Sequence, residues 1–129
     1  MKKRCISAPN GPPVAAPYSH AVAAGNLLFV SGQVAIAPDG SGPQRGSFEE
    51  EARLALSNLR AILEDAGSGL EHVVKVTVFL ADINQFAALN AVYKEFFGSD
   101  FPARTCIQAG KLPLDMQIEV EAIALLPNA

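Results

Sequence analysis

Val73-Val74-Lys75-Val76-Thr77-Val78-Phe79-Leu80 is the stretch on which the fold turns. Its β-branched residues favour an extended chain. Alternation along a strand sends Val74, Val76, Val78 and Leu80 to one face, and Val73, Lys75, Thr77 and Phe79 to the other. The first face is wholly apolar and demands cover; the second is mixed.

That cover is supplied on both sides in the chain. Before the strand, Ser47 and Glu50 form a Ser-x-x-Glu capping box and Gly67 stands where a helix would end. Between them Ala52, Ala55, Leu56, Leu59, Ile62, Leu63 and Ala66 keep the spacing of one buried stripe. Glu49, Glu51, Arg53, Arg60 and Glu64 fall off that stripe and read as a solvated face. After the strand a second helix is predicted, with Asp82 as cap, Gln85 in the capping-box position and Gly98 as stop. Its stripe is Phe86, Leu89, Asn90, Tyr93 and Phe97, so an amide sits among apolar positions and must find a partner.

The flanks add strands. Residues 3–7 suggest a short edge strand, and residues 9–17 are rich in proline and must be extended or turning. Residues 20–24 and 27–31 flank Gly25-Asn26, a two-residue hairpin signal. Residues 33–46 carry Pro38-Asp39-Gly40 and read as a loop, with room for a short strand at residues 34–36. At the other end, Gln117 to Leu126 is a strand. Ile118, Val120, Ala122 and Ala124 point one way; Glu119, Glu121, Ile123 and Leu125 point the other.

The order is therefore strand pair, helix, strand, helix, strand, strand. Two helices cover one face of a four- to six-stranded sheet, with right-handed crossovers. The opposite face keeps Val73, Phe79, Ile123 and Leu125, an apolar surface of the kind that marks an interface. A homo-oligomer packing sheet face against sheet face is expected.

Phe101-Pro102-Ala103-Arg104-Thr105-Cys106-Ile107 carries the chemistry. Arg104, Cys106 and Gln108 share one strand face, and an arginine there reaches solvent, pairs with an acid or waits for an anionic ligand. Glu119 and Glu121, two carboxylates on one face of an apolar strand, are costly unless paired or used. If those faces coincide, Lys75, Arg104, Cys106, Glu119 and Glu121 converge near the subunit contact, with Lys75 available to pair with Glu121.

Composition removes several classes of function. The chain has 129 residues, half of them apolar and 18% charged, with a net charge of −3. Its isoelectric point is near 5.3 and its basic residues are scattered, which argues against a nucleic-acid surface. No apolar run approaches the roughly 18 residues that span a bilayer, so no membrane association is expected. Met1-Lys2-Lys3-Arg4 leads into no apolar segment of the kind a signal peptide needs. Two cysteines, Cys5 and Cys106, make no disulfide framework and suit a reducing, cytoplasmic setting.

Several stretches together resemble the RidA (YjgF) family: Tyr18-Ser19-His20-Ala21, Gly25-Asn26-Leu27-Leu28-Phe29-Val30-Ser31-Gly32-Gln33, Asn90-Ala91-Val92-Tyr93, Phe101 to Cys106, and Leu112-Pro113 through Ala124. The resemblance runs from about Pro17 to Leu125. It implies an α+β, chorismate-mutase-like fold, with a mixed sheet of about six strands, two helices on one face, and sheets packed together in a homotrimer with clefts between subunits. It also implies hydrolysis of reactive enamines and imines, 2-aminoacrylate and its four-carbon homologue, to 2-oxo acids and ammonia, with no cofactor or metal.

Carried over by motif, Arg104 binds the substrate carboxylate and Glu119 positions the attacking water. Tyr18, Ser31 and Asn90 line the cleft, and Cys106 stands beside the ligand as a wall. Glu119 and Glu121 share a strand face, and only the family motif favours Glu119. Gly98-Ser99-Asp100 and Gly110-Lys111 depart from many relatives and bear on substrate size. The competing functions are a non-catalytic binder of small carboxylates such as 2-oxo acids, and an endoribonuclease, which the acidic composition disfavours.

Overall fold

Local sequence signals set the first helix, α1 (Phe48–Asp65). The Ser47 hydroxyl accepts from the Glu50 N–H at 3.1 Å and the Glu50 carboxylate accepts from the Ser47 N–H at 3.0 Å, a complete capping box. At the other end Gly67 adopts φ 86°, and Ser68 N–H reaches the Leu63 carbonyl at 2.8 Å, which closes the helix in a Schellman turn. The computed structural model describes residues 1–128.

In these residues eight strands accompany two α-helices. A six-stranded sheet contains β1 (Arg4–Ile6), β2 (Ala21–Ala24), β3 (Leu27–Gln33), β6 (Val73–Leu80), β7 (Ala103–Gln108) and β8 (Ile118–Leu125), in the spatial order β1-β2-β3-β8-β6-β7. Only β6 and β7 run parallel, joined through α2 (Phe86–Phe97); the other neighbours are antiparallel. This is the mixed α+β architecture expected of the chain. The β2–β3 hairpin turns on Gly25 at φ 61°, a conformation open to glycine without steric cost.

The strand expected at residues 34–36 is displaced. A two-residue ribbon, β4 (Ile36–Ala37) with β5 (Gly42–Pro43), brackets the Pro38-Asp39-Gly40 turn instead. The second helix also starts later than its capping signal suggests. Asp82 caps a 3-10 turn over Ile83–Gln85 by accepting from the Asn84 N–H, and α2 begins only at Phe86.

The phase of β6 differs from strict alternation. Val73 lies opposite Ala124 but Lys75 lies opposite Ile123, so β6 holds one extra residue there. The bulge buries Val73 and turns Val74 out to solvent, reversing the expectation for both, while Val76, Val78 and Leu80 keep their places in the core. A second bulge interrupts β3, where Val30 faces Ala122 and Gln33 faces Val120. Both bulged strands flank β8, which alternates without interruption: Ile118, Val120, Ala122 and Ala124 inward, Glu119, Glu121, Ile123 and Leu125 outward.

The core lies between the inner face of the sheet and the two helices, centred on Leu56, Leu59, Ile62, Leu63, Leu89 and Val92 from the helices. In α2 the buried residues are Leu89, Val92 and Tyr93, while Phe86 is exposed and Asn90 half-buried. The outer sheet face bears Phe29, Ile107 and Leu125 at 43, 44 and 39% exposure, with Phe79 and Ile123 half-buried among them. Lys75 does not pair with Glu121; its ammonium donates to the Thr77 and Thr105 hydroxyls at 3.2 Å. No described helix is long and apolar enough to cross a membrane.

Candidate functional site

Arg104 faces the helices. In the β6–β7 ladder it stands beside Val76, and Cys106 beside Val78, so both lie on the inner side of the sheet. At that edge α2 presents Phe86, Asn90 and Tyr93, spaced i, i+4, i+7 along one helix row. The Asn90 side-chain amide oxygen Oδ1 accepts from the Arg104 guanidinium at 2.8 Å. The Tyr93 and Phe86 rings lie against the guanidinium, at 4.7 and 5.4 Å from its carbon to their centroids. Among the described residues no carboxylate pairs with Arg104. The guanidinium is held by an amide and two rings, which fix its plane and leave its charge uncompensated. A cavity of about 300 Å³ opens over it, lined by Asn90, Tyr93, Lys94, Phe101, Pro102 and Arg104.

The Tyr93 hydroxyl is buried and finds no hydrogen-bond partner among the described residues. Burial pushes its pKa up to about 12, against a smaller opposing pull from Arg104, so it stays a neutral phenol.

Glu119 faces the other way. It lies beside Phe79 on the outer side, as Glu121 lies beside Thr77. A second cleft, of about 550 Å³, is lined at its polar end by Tyr18, Ser31, Gly32 and Glu119. Pro13, Ala15, Ala16, Val34, Ile36, Pro113 and Leu114 form its apolar walls. The Ser31 hydroxyl donates to the Ser19 carbonyl at 2.6 Å, and its N–H donates to the His20 carbonyl. His20 is braced in turn: Nδ1 accepts from the Ala8 N–H and Nε2 donates to the Pro12 carbonyl. Opposite, Leu114 and Asp115 both adopt positive φ, 58° and 57°, and Arg45 donates to the Leu114 carbonyl. The buried Glu51 holds the same connection by accepting from the Gln117 N–H at 2.9 Å.

Burial raises the pKa of Glu119, and the neighbouring Glu121 raises it further. Glu121 is exposed and lines neither cleft. Cys106 is half-buried, packs on the core and lines neither cleft. Burial pushes its thiol up, outweighing Arg104, so it is no ready nucleophile.

The residues singled out in the sequence thus fall into two groups. Arg104 and Asn90 share one cavity; Tyr18, Ser31 and Glu119 share the other. The convergence of Arg104, Cys106, Glu119 and Glu121 on one sheet face does not occur, because the β6–β7 register puts the first two on the inner side. Phe86 and Tyr93, which sit on the apolar stripe of α2, flank the guanidinium, and Gly32 lines the second cleft although its hairpin stretch gives it no separate role. An isolated glycine inside a strand pattern is the available signal for such a site.

The Endoribonuclease L-PSP family model matches residues 8–126, and this chain belongs to that family, which includes the RidA (YjgF) proteins. A RutC family protein of Pyrococcus abyssi is 44% identical over 124 residues, covering 96% of this chain and 98% of that protein. The human 2-iminobutanoate/2-iminopropanoate deaminase is 42% identical over 123 residues, covering 95% of this chain and 90% of its own length. Among solved structures, Escherichia coli TdcF with bound serine superposes with a TM-score of 0.89 at 38% identity, over 95% of this chain and 98% of that one.

Proposed function

We propose that this chain is a hydrolytic deaminase of small 2-imino acids, 2-iminopropanoate and 2-iminobutanoate, acting in clefts between the subunits of a homotrimer. The observation that carries the reading is Arg104: an arginine with no acidic partner among the described residues, its plane fixed by Asn90, Phe86 and Tyr93, opening on a cavity. Such a fork matches a carboxylate bidentately. The human deaminase, similar over nearly the whole chain, supports the choice of substrate.

Two features support the subunit boundary. Arg104 and Glu119 stand on opposite sides of one sheet, so no single copy can bring both to a three- or four-carbon ligand. The outer face also leaves Phe29, Ile107 and Leu125 exposed, a surface suited to a second copy. In this reading Arg104 and Asn90 of one subunit meet Tyr18, Ser31 and Glu119 of its neighbour.

Hydrolysis then needs little machinery. Arg104 holds the substrate carboxylate and orients the C=N carbon. Glu119 takes a proton from water as the water oxygen bonds to that carbon, giving a carbinolamine. The proton passes from Glu119 to the amine, the C–N bond breaks as the carbinol hydroxyl gives its proton back to Glu119 and becomes the C=O, and 2-oxo acid and ammonia leave. A carboxylate whose pKa is raised is the better base, and general-base help of this kind contributes about 10²–10⁴-fold. 2-Aminoacrylate enters the same route after its methylene carbon is protonated to give 2-iminopropanoate. Cys106 takes no part in bond making, and the reaction requires neither cofactor nor metal.

The test is to generate 2-aminoacrylate with a dehydratase and follow 2-oxo acid release. The native chain accelerates release and Arg104→Ala does not. Equal acceleration by Arg104→Ala sinks the assignment, and ligand binding without acceleration points to a carboxylate-binding protein.

A further inference from the structure

Gly32 lies at the β3 bulge, where Ser31 and Gly32 together stand opposite the single residue Glu121. Its φ is not in the left-handed region, unlike that of Gly25, Gly40, Gly42, Gly67 and Gly98. A left-handed backbone therefore does not explain the glycine at position 32. Space does. A Cβ built at Gly32 would overlap the Glu119 carboxylate and lie 2.9 Å from its Cδ and 3.2 Å from its Cγ. The Glu119 side chain lies across the bare Cα.

We propose that Gly32 is a positioning residue, whose missing side chain forms the slot that holds the Glu119 carboxylate in the cleft. This rests on the reading above in one respect only, that Glu119 acts on water.

Among the described residues no donor hydrogen-bonds to Glu119; the neighbouring Ser31 hydroxyl is spent on the Ser19 carbonyl. That distinction matters chemically. A carboxylate fixed by N–H or O–H donors becomes a weaker base, because the donors stabilise its charge. A carboxylate fixed by shape keeps its basicity, and burial with Glu121 nearby raises it. The bulge supplies this shape by bringing the backbone of Ser31-Gly32 under the side chain without a Cβ in the way.

The experiment is Gly32→Ala, read by carboxyl titration of Glu119 in carbon-13-labelled protein, assigned with Glu119→Gln. In the native protein Glu119 titrates above the ordinary 4.5. In Gly32→Ala the carboxylate is pushed toward water, and its titration moves back toward that value. The acidic limb of kcat follows it to lower pH, and kcat falls about 10-fold or more, within the range of general-base help. KM changes little. An unchanged titration in folded Gly32→Ala overturns the proposal, whether or not the protein hydrolyses imines. If Gly32→Ala fails to fold, Gly32→Ala/Glu119→Ala decides: recovered folding shows that the glycine serves Glu119. Equal loss in both backgrounds shows a requirement of the backbone and overturns it.

Discussion

Arg104 and Glu119 project from opposite faces of the same sheet, with β6 lying between their strands. In the proposed reading a single copy therefore holds two half-sites that cannot meet. Mixing subunits tests this directly. Arg104→Ala and Glu119→Gln proteins are each expected to be inactive alone. Unfolded together in equal amounts and reassembled, they should regain about a quarter of native activity, since one cleft in four pairs an intact arginine with an intact glutamate. Assay of the separate and mixed proteins reads the result, and no recovery would place the site within one chain.

Asn90 is the only side chain that hydrogen-bonds to the Arg104 guanidinium among the described residues. Asn90→Ala removes a bond to a charged group worth about 1.5 kcal/mol, which corresponds to roughly a tenfold rise in KM with a smaller change in kcat. Asn90→Asp should raise KM further, because a fixed acid would compete with the substrate carboxylate for Arg104. Steady-state kinetics separate the two variants, and an unchanged KM in both would remove Asn90 from the clamp.

Glu119 also sets a pH dependence of stability. Its pKa is raised in the folded protein by burial and then by Glu121, so the folded state holds the proton more tightly than the unfolded chain. The favourable contribution is full below the ordinary value of 4.5 and is lost as pH rises through the raised folded value. Glu119→Gln removes the penalty on the ionised form. It should be more stable than the native protein at neutral pH, and the advantage should vanish below pH 4.5. Denaturant midpoints at the two pH values measure it; an advantage that persists in acid would contradict the sign.

Tyr93 offers the opposite kind of change. Its hydroxyl is buried without a partner among the described residues, while its ring is needed against Arg104 and Phe97. Tyr93→Phe keeps the stack and deletes the orphan group, and should stabilise the fold by about 1 kcal/mol. Urea denaturation of the variant checks this, with a destabilised protein as the contrary outcome.

Some elements were legible in the sequence because their signals are local. Ser47, Glu50 and Gly67 specify both ends of α1 within a turn of each end. Gly25-Asn26 announces its hairpin, and Ile118 to Leu125 alternates as read. The start of β6 was not legible, because a bulge at Val74 reverses Val73 and Val74 and leaves no mark among the valines there, while Val76, Val78 and Leu80 lie as read. The separation of Arg104 from Glu119 was hidden for a related reason: period-two alternation orders residues within a strand, and only inter-strand register ties one strand's phase to the next. Asn90 stood out as an amide among apolar positions. That its partner would be Arg104, flanked by Phe86 and Tyr93, depended on how α2 docks over β7.

The uninterrupted β8 has a consequence for how this chain can change length. Its two neighbours each absorb one surplus residue, at Ser31-Gly32 and at Val74, and return to step within a few positions. β8 has no such slack, for it is the reading frame against which both are aligned. One residue gained or lost inside it would transpose Glu119 and Glu121 with Val120 and Ala122, driving acids into the core and unseating the glutamate from Gly32 together. Among the three central strands, a single surplus residue is thus accommodated in those beside β8, while β8 itself can change only by substitution.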